Sequence, residues 1–247
     1  MTNLIIKIIK YLKLLVPPIV TITINKLKRP NIRIVANGSI INSFSQYSED
    51  LIIDSLCGNK SNGFYVDVGA HRPDHLSNTL RFYQKGWCGI NIEPQVNLYQ
   101  EFVSGRERDI NLNMGVHREK GELIFYHLEH KALSTFDYNS AKSNERNFSS
   151  KIVDKESIPV CPLKEIFANH LHKTQEIDFI SIDTEGNELN VLNGNDWDSY
   201  RPKIVIIEYG ENEVEIYNFF KKVNYDLVYK NNLNAIYYDL LQLNNCS

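Results

Sequence analysis

Short apolar runs alternate with amphipathic stretches along most of this chain. Apolar runs without strict alternation predict strands that are buried on both faces, as in a parallel sheet. These runs lie at residues 64–68, 88–92, 109–116, 177–182 and 203–207. Helical periodicity or helix-start signals predict helices at 45–57, 78–85, 94–103, 162–170, 188–192 and 213–223. This alternation of strands and helices predicts an α/β fold with a mostly parallel sheet.

Three further stretches complete the predicted architecture. Apolar runs at 225–229 and 235–239 are separated by Asn231-Asn232, which is typical of an antiparallel hairpin. Residues 121–128 are predicted to form an added strand at an edge of the sheet. Residues 133–157 are rich in Ser, Asn, Lys and Glu without periodicity, which predicts a long loop. That loop is either a lid over the mouth of a binding pocket or a mobile surface segment.

The amino-terminal segment predicts a basic amphipathic helix over residues 4–16. Lys7, Lys10 and Lys13 share one arc, leucine and isoleucine cover the opposite side, and Pro17-Pro18 ends the helix. The uncharged run 14–25 contains both prolines and is shorter than the ~20 apolar residues that span a bilayer. No cleavage site of a signal peptide follows. We expect this helix to lie on an anionic membrane surface or to dock on protein, either its own domain or the second subunit of a homodimer.

Composition and charge narrow the classes of partner. A chain of 247 residues accommodates one α/β domain, here 44–247, after a helix and linker at 1–43. The net charge of −3, without a basic stripe interleaved with aromatics, argues against a nucleic-acid partner. The cysteines are far apart and lack metal-ligand spacing. Because Cys57 and Cys88 have apolar neighbours in the sequence, we expect both to be reduced residues of the core. We therefore expect a cytoplasmic protein, peripheral at the membrane if the first helix binds there.

The first candidate for chemistry is the stretch Asp67-Val68-Gly69-Ala70-His71, where the first core strand ends. A strand, a glycine turn, a short helix and a second strand ending in Glu93 form a βαβ unit that binds nucleotides at its strand ends. The turn has one glycine where a dinucleotide pyrophosphate normally meets three. A ligand with a ribose but no pyrophosphate fits better, and S-adenosylmethionine is such a ligand. Glu93 sits where its carboxylate can accept hydrogen bonds from both ribose hydroxyls.

Over residues 44–210 the sequence resembles the FkbM family of methyltransferases, segment by segment and in the same order. The similar segments are 45–50 (SQYSED), 65–70, 77–79, 86–94, 177–188 (IDFISIDTEGNE) and 201–208 (RPKIVIIE). His71 and Thr184 depart from the family pattern, which favours a small polar residue and an aliphatic residue there. The resemblance implies a Rossmann-like class I methyltransferase fold: a mostly parallel seven-stranded sheet with a C-terminal antiparallel hairpin.

The resemblance also implies S-adenosylmethionine as the cofactor and a hydroxyl group as the acceptor. That hydroxyl belongs to a polyketide-type metabolite or to a sugar in surface-glycan assembly, and the basic amino-terminal helix favours the sugar. The predicted cofactor-binding residues are Asp67, Gly69, Ala70, His71, Asn78, Thr79, Glu93 and Asn113. Asp67 holds either the glycine turn or the ammonium group of the methionine part. Asn78 and Thr79 bind the cofactor carboxylate or only cap a helix, and Asn113 contacts the adenine edge.

Asp183 and Glu208 are the predicted catalytic residues, because each follows an apolar strand next to the expected position of the methyl group. Methyl transfer is an in-line displacement, so positioning contributes most of the catalysis. A hydroxyl acceptor must also lose its proton, which requires a base or a metal ion. Asp183 and Glu208 either act as the base or hold one Mg²⁺ between them. Alternatively, Asp183 and Glu185 only cap the following helix.

Two rival functions remain at this point. The first is an NAD-dependent sugar-modifying oxidoreductase, which the missing glycines of the turn disfavour. The second is a non-catalytic nucleoside-binding scaffold, which the presence of Asp67, Gly69, Glu93 and Asp183 disfavours.

Overall fold

The computed structural model describes residues 33–36 and 39–243. The helix predicted over 4–16 lies outside these residues. The strands are β1 (Arg33–Ala36), β2 (Ser39–Asn42), β3 (Phe64–Val68), β4 (Cys88–Ile92), β5 (Ile110–Leu112), β6 (Gly115–Val116), β7 (Gly121–Leu128), β8 (Ile152–Cys161), β9 (Phe179–Ile182), β10 (Ile204–Glu208), β11 (Tyr225–Lys230) and β12 (Asn234–Asp239). The helices are α1 (Glu49–Leu56), α2 (Leu80–Gln84), α3 (Val96–Gly105), α4 (Tyr138–Phe148), α5 (Leu163–His170), α6 (Glu188–Asn193), α7 (Glu213–Lys222) and α8 (Leu240–Leu243).

A seven-stranded sheet forms the centre of the domain, in the order β11-β12-β10-β9-β3-β4-β5. The five strands from β10 to β5 pair in parallel, and β12 pairs antiparallel with both β10 and β11. This confirms the predicted α/β class, the mostly parallel sheet and the closing antiparallel hairpin. The strand order reverses direction between β3 and β9, and ligands of such sheets bind at this switch point, outside the carboxyl ends of the strands.

Both faces of the central strands are buried, which explains why their sequences lack alternation. Val66, Ile180 and Ile182 point into one apolar cluster, and Tyr65 and Phe179 point into the other. In the second cluster, Phe179 packs against the rings of Tyr65, Phe82 and Trp87, with ring centroids 4.6 to 6.1 Å apart. Burial on both faces fixes the register of these strands and therefore the positions of the residues at their tips.

The prediction of one continuous strand over residues 109–116 is wrong, because this segment forms two strands, β5 and β6. Only β5 belongs to the central sheet, and β6 pairs with β8 in a separate three-stranded sheet. The chain leaves the central sheet at Asn113, whose side-chain amide donates to the backbone oxygens of Glu93 and Pro94 at 2.9 Å each. An asparagine side chain that bonds nearby backbone in this way competes with strand pairing.

The long loop predicted at 133–157 is also wrong, because this segment contains α4 and most of β8. Asp137 caps α4 by accepting a hydrogen bond from the Ser140 backbone N–H, 2.6 Å away. The buried side of α4 includes Ala141 and Asn144, so it carries little of the apolar periodicity that marks a helix. In β8, residues 153–157 are all exposed, so no alternation appears.

Two other expectations near these elements need correction. Residues 121–128 do form a strand, β7, but it pairs with β8 in the three-stranded sheet and not at an edge of the central sheet. Cys88, predicted in the core, is exposed at the start of β4, whereas Cys57 is half-buried. The linker region before residue 44 contains the antiparallel hairpin of β1 and β2. Within the described part of the chain, no helix has the length and apolar character needed to cross a membrane.

Candidate functional site

The glycine turn after β3 brings the tips of β3 and β9 together. Gly69 has φ +76°, and a Cβ atom there would lie 1.8 Å from the backbone oxygen of Asp183. Only glycine therefore fits this position, for reasons of both conformation and space. The Asp183 N–H donates to the Val68 carbonyl at 3.0 Å, which fixes Asp183 directly beside the turn.

Glu93 follows β4 and is almost completely buried beside this turn. Its Oε2 accepts from the His71 backbone N–H and its Oε1 from the Gln95 backbone N–H, both at 2.8 Å. Each carboxylate oxygen has a further lone pair, so Glu93 keeps the capacity to accept from ribose hydroxyls. Burial raises the pKa of Glu93 to about 7 and lowers the pKa of His71 to about 4. The His71 imidazole is therefore neutral at physiological pH.

A cleft lies at the tips of β3, β4 and β9. Gly69, His71, Glu93, Asp183 and Glu185 are among its lining residues. Glu93, predicted for the ribose, and Asp183, predicted for the methyl group, therefore face one shared space, whereas Glu208 is not among the lining residues.

The segment between β7 and α4 covers this cleft. Lys131, Ala132, Ser134 and Phe136 line it together with Phe125 of β7. Two glycines allow the close approach: a Cβ at Gly115 would lie 2.4 Å from the Phe136 ring, and a Cβ at Gly186 would lie 2.1 Å from Ser140 Oγ. Ser134 and Phe136 of the segment predicted as a loop therefore line the cleft, and a role as a lid stays a prediction.

Other predicted cofactor residues lie behind the cleft wall. Asp67 is buried and accepts from Thr79 Oγ1 at 2.8 Å, and burial raises its pKa to about 6. Asn78 donates to Ser181 Oγ at 3.1 Å. Asn113 binds backbone oxygens, as described above, and Ala70 is buried. These side chains hold the turn and its surroundings in place, and their direct contact with a cofactor stays a prediction.

Asp183, Glu188 and Glu208 place carboxylate oxygens within 4.8 Å of one another. None of the ion pairs formed by the described residues includes any of these three acids. The charge of Asp183, together with burial, raises the pKa of Glu208 to about 11. Burial and the Glu188 carboxylate raise the pKa of Asp183 to about 7.

The turn after β9 shapes this acidic cluster. Glu188 Oε1 accepts from the backbone N–H and the hydroxyl of Thr184, both at 2.9 Å, and from the Gly186 N–H at 3.1 Å. Glu185 has φ +55° and lines the cleft, and burial next to Asp183 raises its pKa to about 9. Glu188 therefore holds the turn that presents Asp183 and Glu185. The sequence pattern did not predict this role for Glu188.

The oxidoreductase alternative can be examined through a Tyr-x-x-x-Lys pair, which is typical of NAD-dependent sugar-modifying oxidoreductases. This spacing occurs at Tyr138/Lys142 on α4 and at Tyr217/Lys221 on α7. Both tyrosines are exposed, Lys142 pairs with Glu145, and neither pair lines the cleft. The spacing therefore gives no support to the oxidoreductase alternative.

Comparison with known proteins agrees with this geometry. The family profile described as the methyltransferase FkbM domain matches residues 67–227. No curated protein matches the sequence. A crystal structure of methyltransferase FkbM from Methylobacillus flagellatus KT is similar at 15% identity and a TM-score of 0.46, over 72% of this chain and 44% of that chain. A crystal structure of M. jannaschii TYW2 in complex with AdoMet is similar at 10% identity and a TM-score of 0.35, over 88% and 90%. The chain spans less than half of the length of the first of these proteins.

Proposed function

This chain belongs to the FkbM methyltransferase family, whose reaction is methyl transfer from S-adenosylmethionine, and we propose that it is an O-methyltransferase. The proposed acceptor is a hydroxyl group of a sugar or glycan precursor, or of a polyketide-type metabolite. The observation that carries this proposal is the set of acids at the tips of β9 and β10, beside the cleft that Glu93 and the glycine turn form. Such a set can take up the proton that a hydroxyl acceptor must lose.

The cleft suits S-adenosylmethionine in two respects. The turn has a single glycine, where a dinucleotide pyrophosphate normally meets three, and Glu93 offers two oxygens to the two ribose hydroxyls. Asp183 lines the same cleft, and its negative charge suits the positively charged sulfonium. These residues would bind and orient the cofactor with its methyl group toward the tips of β9 and β10.

The chemical step needs little covalent help from the protein. The hydroxyl oxygen forms the new bond to the methyl carbon while the carbon–sulfur bond breaks, and S-adenosylhomocysteine leaves as the neutral sulfide. The hydroxyl proton passes to Asp183, whose raised pKa is close to neutral pH and therefore matches general-base catalysis. Glu208 stays protonated at that pH and limits the negative charge that surrounds Asp183.

The same acids also fit a divalent cation. Carboxylate oxygens are the ligands that Mg²⁺ prefers, and Asp183, Glu188 and Glu208 together offer three of them. When bound, Mg²⁺ would lower the pKa of the acceptor hydroxyl. Asp183 and Glu208 would then act as ligands, and water would take up the proton.

The test starts with calorimetry on the full chain, using S-adenosylhomocysteine and NAD as ligands. We expect binding of S-adenosylhomocysteine and none of NAD; the reverse result would support the oxidoreductase alternative. Transfer of tritium from methyl-labelled S-adenosylmethionine to hydroxylated acceptors then tests the reaction. Cofactor binding without transfer to any sugar or polyketide alcohol would support the nucleoside-binding scaffold.

The location and the assembly of the protein are part of the same proposal. We expect a cytoplasmic enzyme that does not bind nucleic acid. The predicted helix at 4–16 would contact either an anionic membrane surface or a second subunit of a homodimer. A liposome sedimentation assay and a molar-mass measurement in solution distinguish these two roles.

A further inference from the structure

The strand order fixes where each residue of the proposed site lies along the carboxyl-end edge of the sheet. Glu93 follows β4, Gly69 follows β3, Asp183 follows β9 and Glu208 ends β10. The next strand is β12, whose Asn234 pairs with Glu208. Neighbouring strands are about 4.8 Å apart, so the distance from the Glu93 tip to the Asn234 end is roughly 19 Å. A ribose at Glu93 places the transferable methyl near β3 and β9. Because the displacement is in line, the acceptor must approach from the side of β10 and β12.

A buried acid lies at that end of the sheet. Glu49, the first residue of α1, has no solvent exposure. Its Oε1 accepts from the side-chain amides of Asn231 and Asn234, at 2.8 and 2.9 Å. Its Oε2 accepts from the Tyr47 backbone N–H at 2.8 Å. Glu49 therefore joins the segment before α1 to the turn between β11 and β12. Its charge also contributes to the raised pKa of Asp183, so this junction lies close to the acidic cluster.

The segment before α1 is rigidly built. Asp50 is buried and accepts from the hydroxyls of Ser43 and Ser45, at 2.5 and 3.0 Å, and from the Phe44 N–H at 2.9 Å. Glu49 and Asp50 are neighbouring buried carboxylates in the first turn of α1, and their burial costs free energy unless their oxygens are hydrogen-bonded, as they are here. A loop with this much internal bonding is held in one conformation, as a binding surface requires.

The turn on the other side of Glu49 is equally fixed. The Asn231 side-chain oxygen accepts from the backbone N–H groups of Leu233 and Asn234, at 2.9 and 2.7 Å. Tyr209, which follows Glu208, donates its hydroxyl to the Asn231 carbonyl at 2.7 Å. The turn is thus bonded directly to the strand that carries a catalytic carboxyl group.

This surface presents Gln46 and Tyr47 to solvent, with Tyr47 43% exposed. Residues 43–50 and 231–234 contain no lysine or arginine, so nothing in them suits a phosphate group. The exposed ring of Tyr47 beside the exposed side-chain amide of Gln46 suits a neutral sugar. The C–H face of a pyranose packs on the ring, and its hydroxyls bond to the amide.

We propose that residues 45–49 and the turn 231–234, joined by Glu49, form the acceptor subsite, with Tyr47 as the platform for a neutral pyranose ring. This inference rests on the proposed function, because it places the acceptor by reference to the methyl group. It narrows the acceptor from any hydroxyl compound to an uncharged saccharide. Glu49 is a positioning residue, since its carboxylate is buried and acts through Tyr47, Asn231 and Asn234.

Saturation-transfer NMR on the full chain with S-adenosylhomocysteine tests the subsite without any need for turnover. The probes are the methyl α-glycosides of mannose, glucose and rhamnose. We expect the wild type to bind at least one of them and Tyr47→Ala to bind it roughly three- to tenfold more weakly, the range that aromatic contacts give. Tyr47→Phe should bind as the wild type does. Tyr217→Ala is the matched control, because Tyr217 is similarly exposed on α7.

Calorimetry should give the same S-adenosylhomocysteine affinity in all these variants. Where the glycoside is also methylated, Tyr47→Ala should raise its KM and leave kcat nearly unchanged. Glu49→Gln should weaken glycoside binding in the same way; if it fails to fold, Tyr47→Ala alone decides.

The possible outcomes separate this inference from the proposed function. Glycoside binding that depends on Tyr47, without methyl transfer, upholds the subsite and refutes the proposed reaction. If no glycoside binds, or if Tyr47→Ala binds it as well as the wild type does, the subsite is overturned. Tyr47→Ala binding as tightly as the wild type would overturn the subsite even if the enzyme methylated a non-sugar alcohol.

Discussion

Replacing Glu93 by alanine tests the part of the site on which cofactor binding depends. The carboxylate of Glu93 is fixed by two backbone N–H groups at 2.8 Å and keeps free lone pairs toward the cleft. Two ribose hydroxyls that bond to this charged group would contribute roughly 1.5–3 kcal/mol together. Glu93→Ala should therefore weaken S-adenosylhomocysteine binding by roughly tenfold to 150-fold.

Isothermal titration calorimetry measures this change directly, with circular dichroism as a check on folding. Glu107→Ala removes an exposed acid just after α3 and serves as the control, with no change in affinity expected. A folded Glu93→Ala protein that binds S-adenosylhomocysteine as tightly as the wild type would refute the ribose role. The acid would then serve only to hold the backbone of His71 and Gln95.

The pH dependence adds a second test of the same residue. Burial raises the pKa of Glu93 to about 7, and the ionised form is the better acceptor for ribose hydroxyls. Affinity for S-adenosylhomocysteine should therefore rise from pH 6 to pH 8, by up to about tenfold. This ligand lacks the sulfonium charge, which reduces the contribution of the Asp183 cluster. The rise should disappear in Glu93→Ala, and a rise that persists would assign the titration to another group.

Four further experiments test the remaining parts of the protein. Asp183→Asn keeps the shape and removes the charge, so cofactor affinity should hold while turnover falls by roughly 10²–10⁴-fold; normal turnover would contradict both of its proposed roles. Activity lost with EDTA and restored by Mg²⁺ indicates the metal, and indifference to EDTA indicates the base. Glu208 has a folded-state pKa of about 11, above its ordinary value of 4.5, so its contribution to stability is present below pH 4.5 and declines as pH rises toward 11. The melting temperature of Glu208→Gln relative to the wild type should therefore increase between pH 6 and pH 9; a constant difference would contradict the shift. A chain that begins at Asn31 should fold and bind S-adenosylhomocysteine, because the lining of the cleft starts at Val68; failure to fold would place the first helix in the core.

The residues at the strand tips were predictable because the strands that carry them are continuous apolar runs. A parallel strand buried on both faces can be recognised in a sequence as a continuous apolar run, and ligands bind at its carboxyl end. Glu93, Asp183 and Glu208 each follow such a run, so their places along one edge of the sheet follow from local pattern.

The cover of the cleft was not predictable in the same way. The inner side of α4 includes Asn144, which is held by its own bond to the Leu133 carbonyl, and the middle of β8 is polar on both faces. Neither element carries the periodicity that a sequence reading needs. The contact of Glu49 with Asn231 joins residues 182 positions apart, and no local pattern indicates such a pair. Contacts of this kind are determined by the tertiary fold.

Two of the seven described non-glycine residues with positive φ lie at the cleft. Positive φ is uncommon for residues other than glycine, yet both His71 and Glu185 have it, and both line the cleft. Each such residue costs of order 1–3 kcal/mol, and surrounding structure must hold it in place. At His71 the conformation directs a backbone N–H to Glu93, and at Glu185 it precedes the Gly186 N–H that bonds to Glu188. The backbone around each of these strained residues is thus bonded to a buried acid, Glu93 in one case and Glu188 in the other.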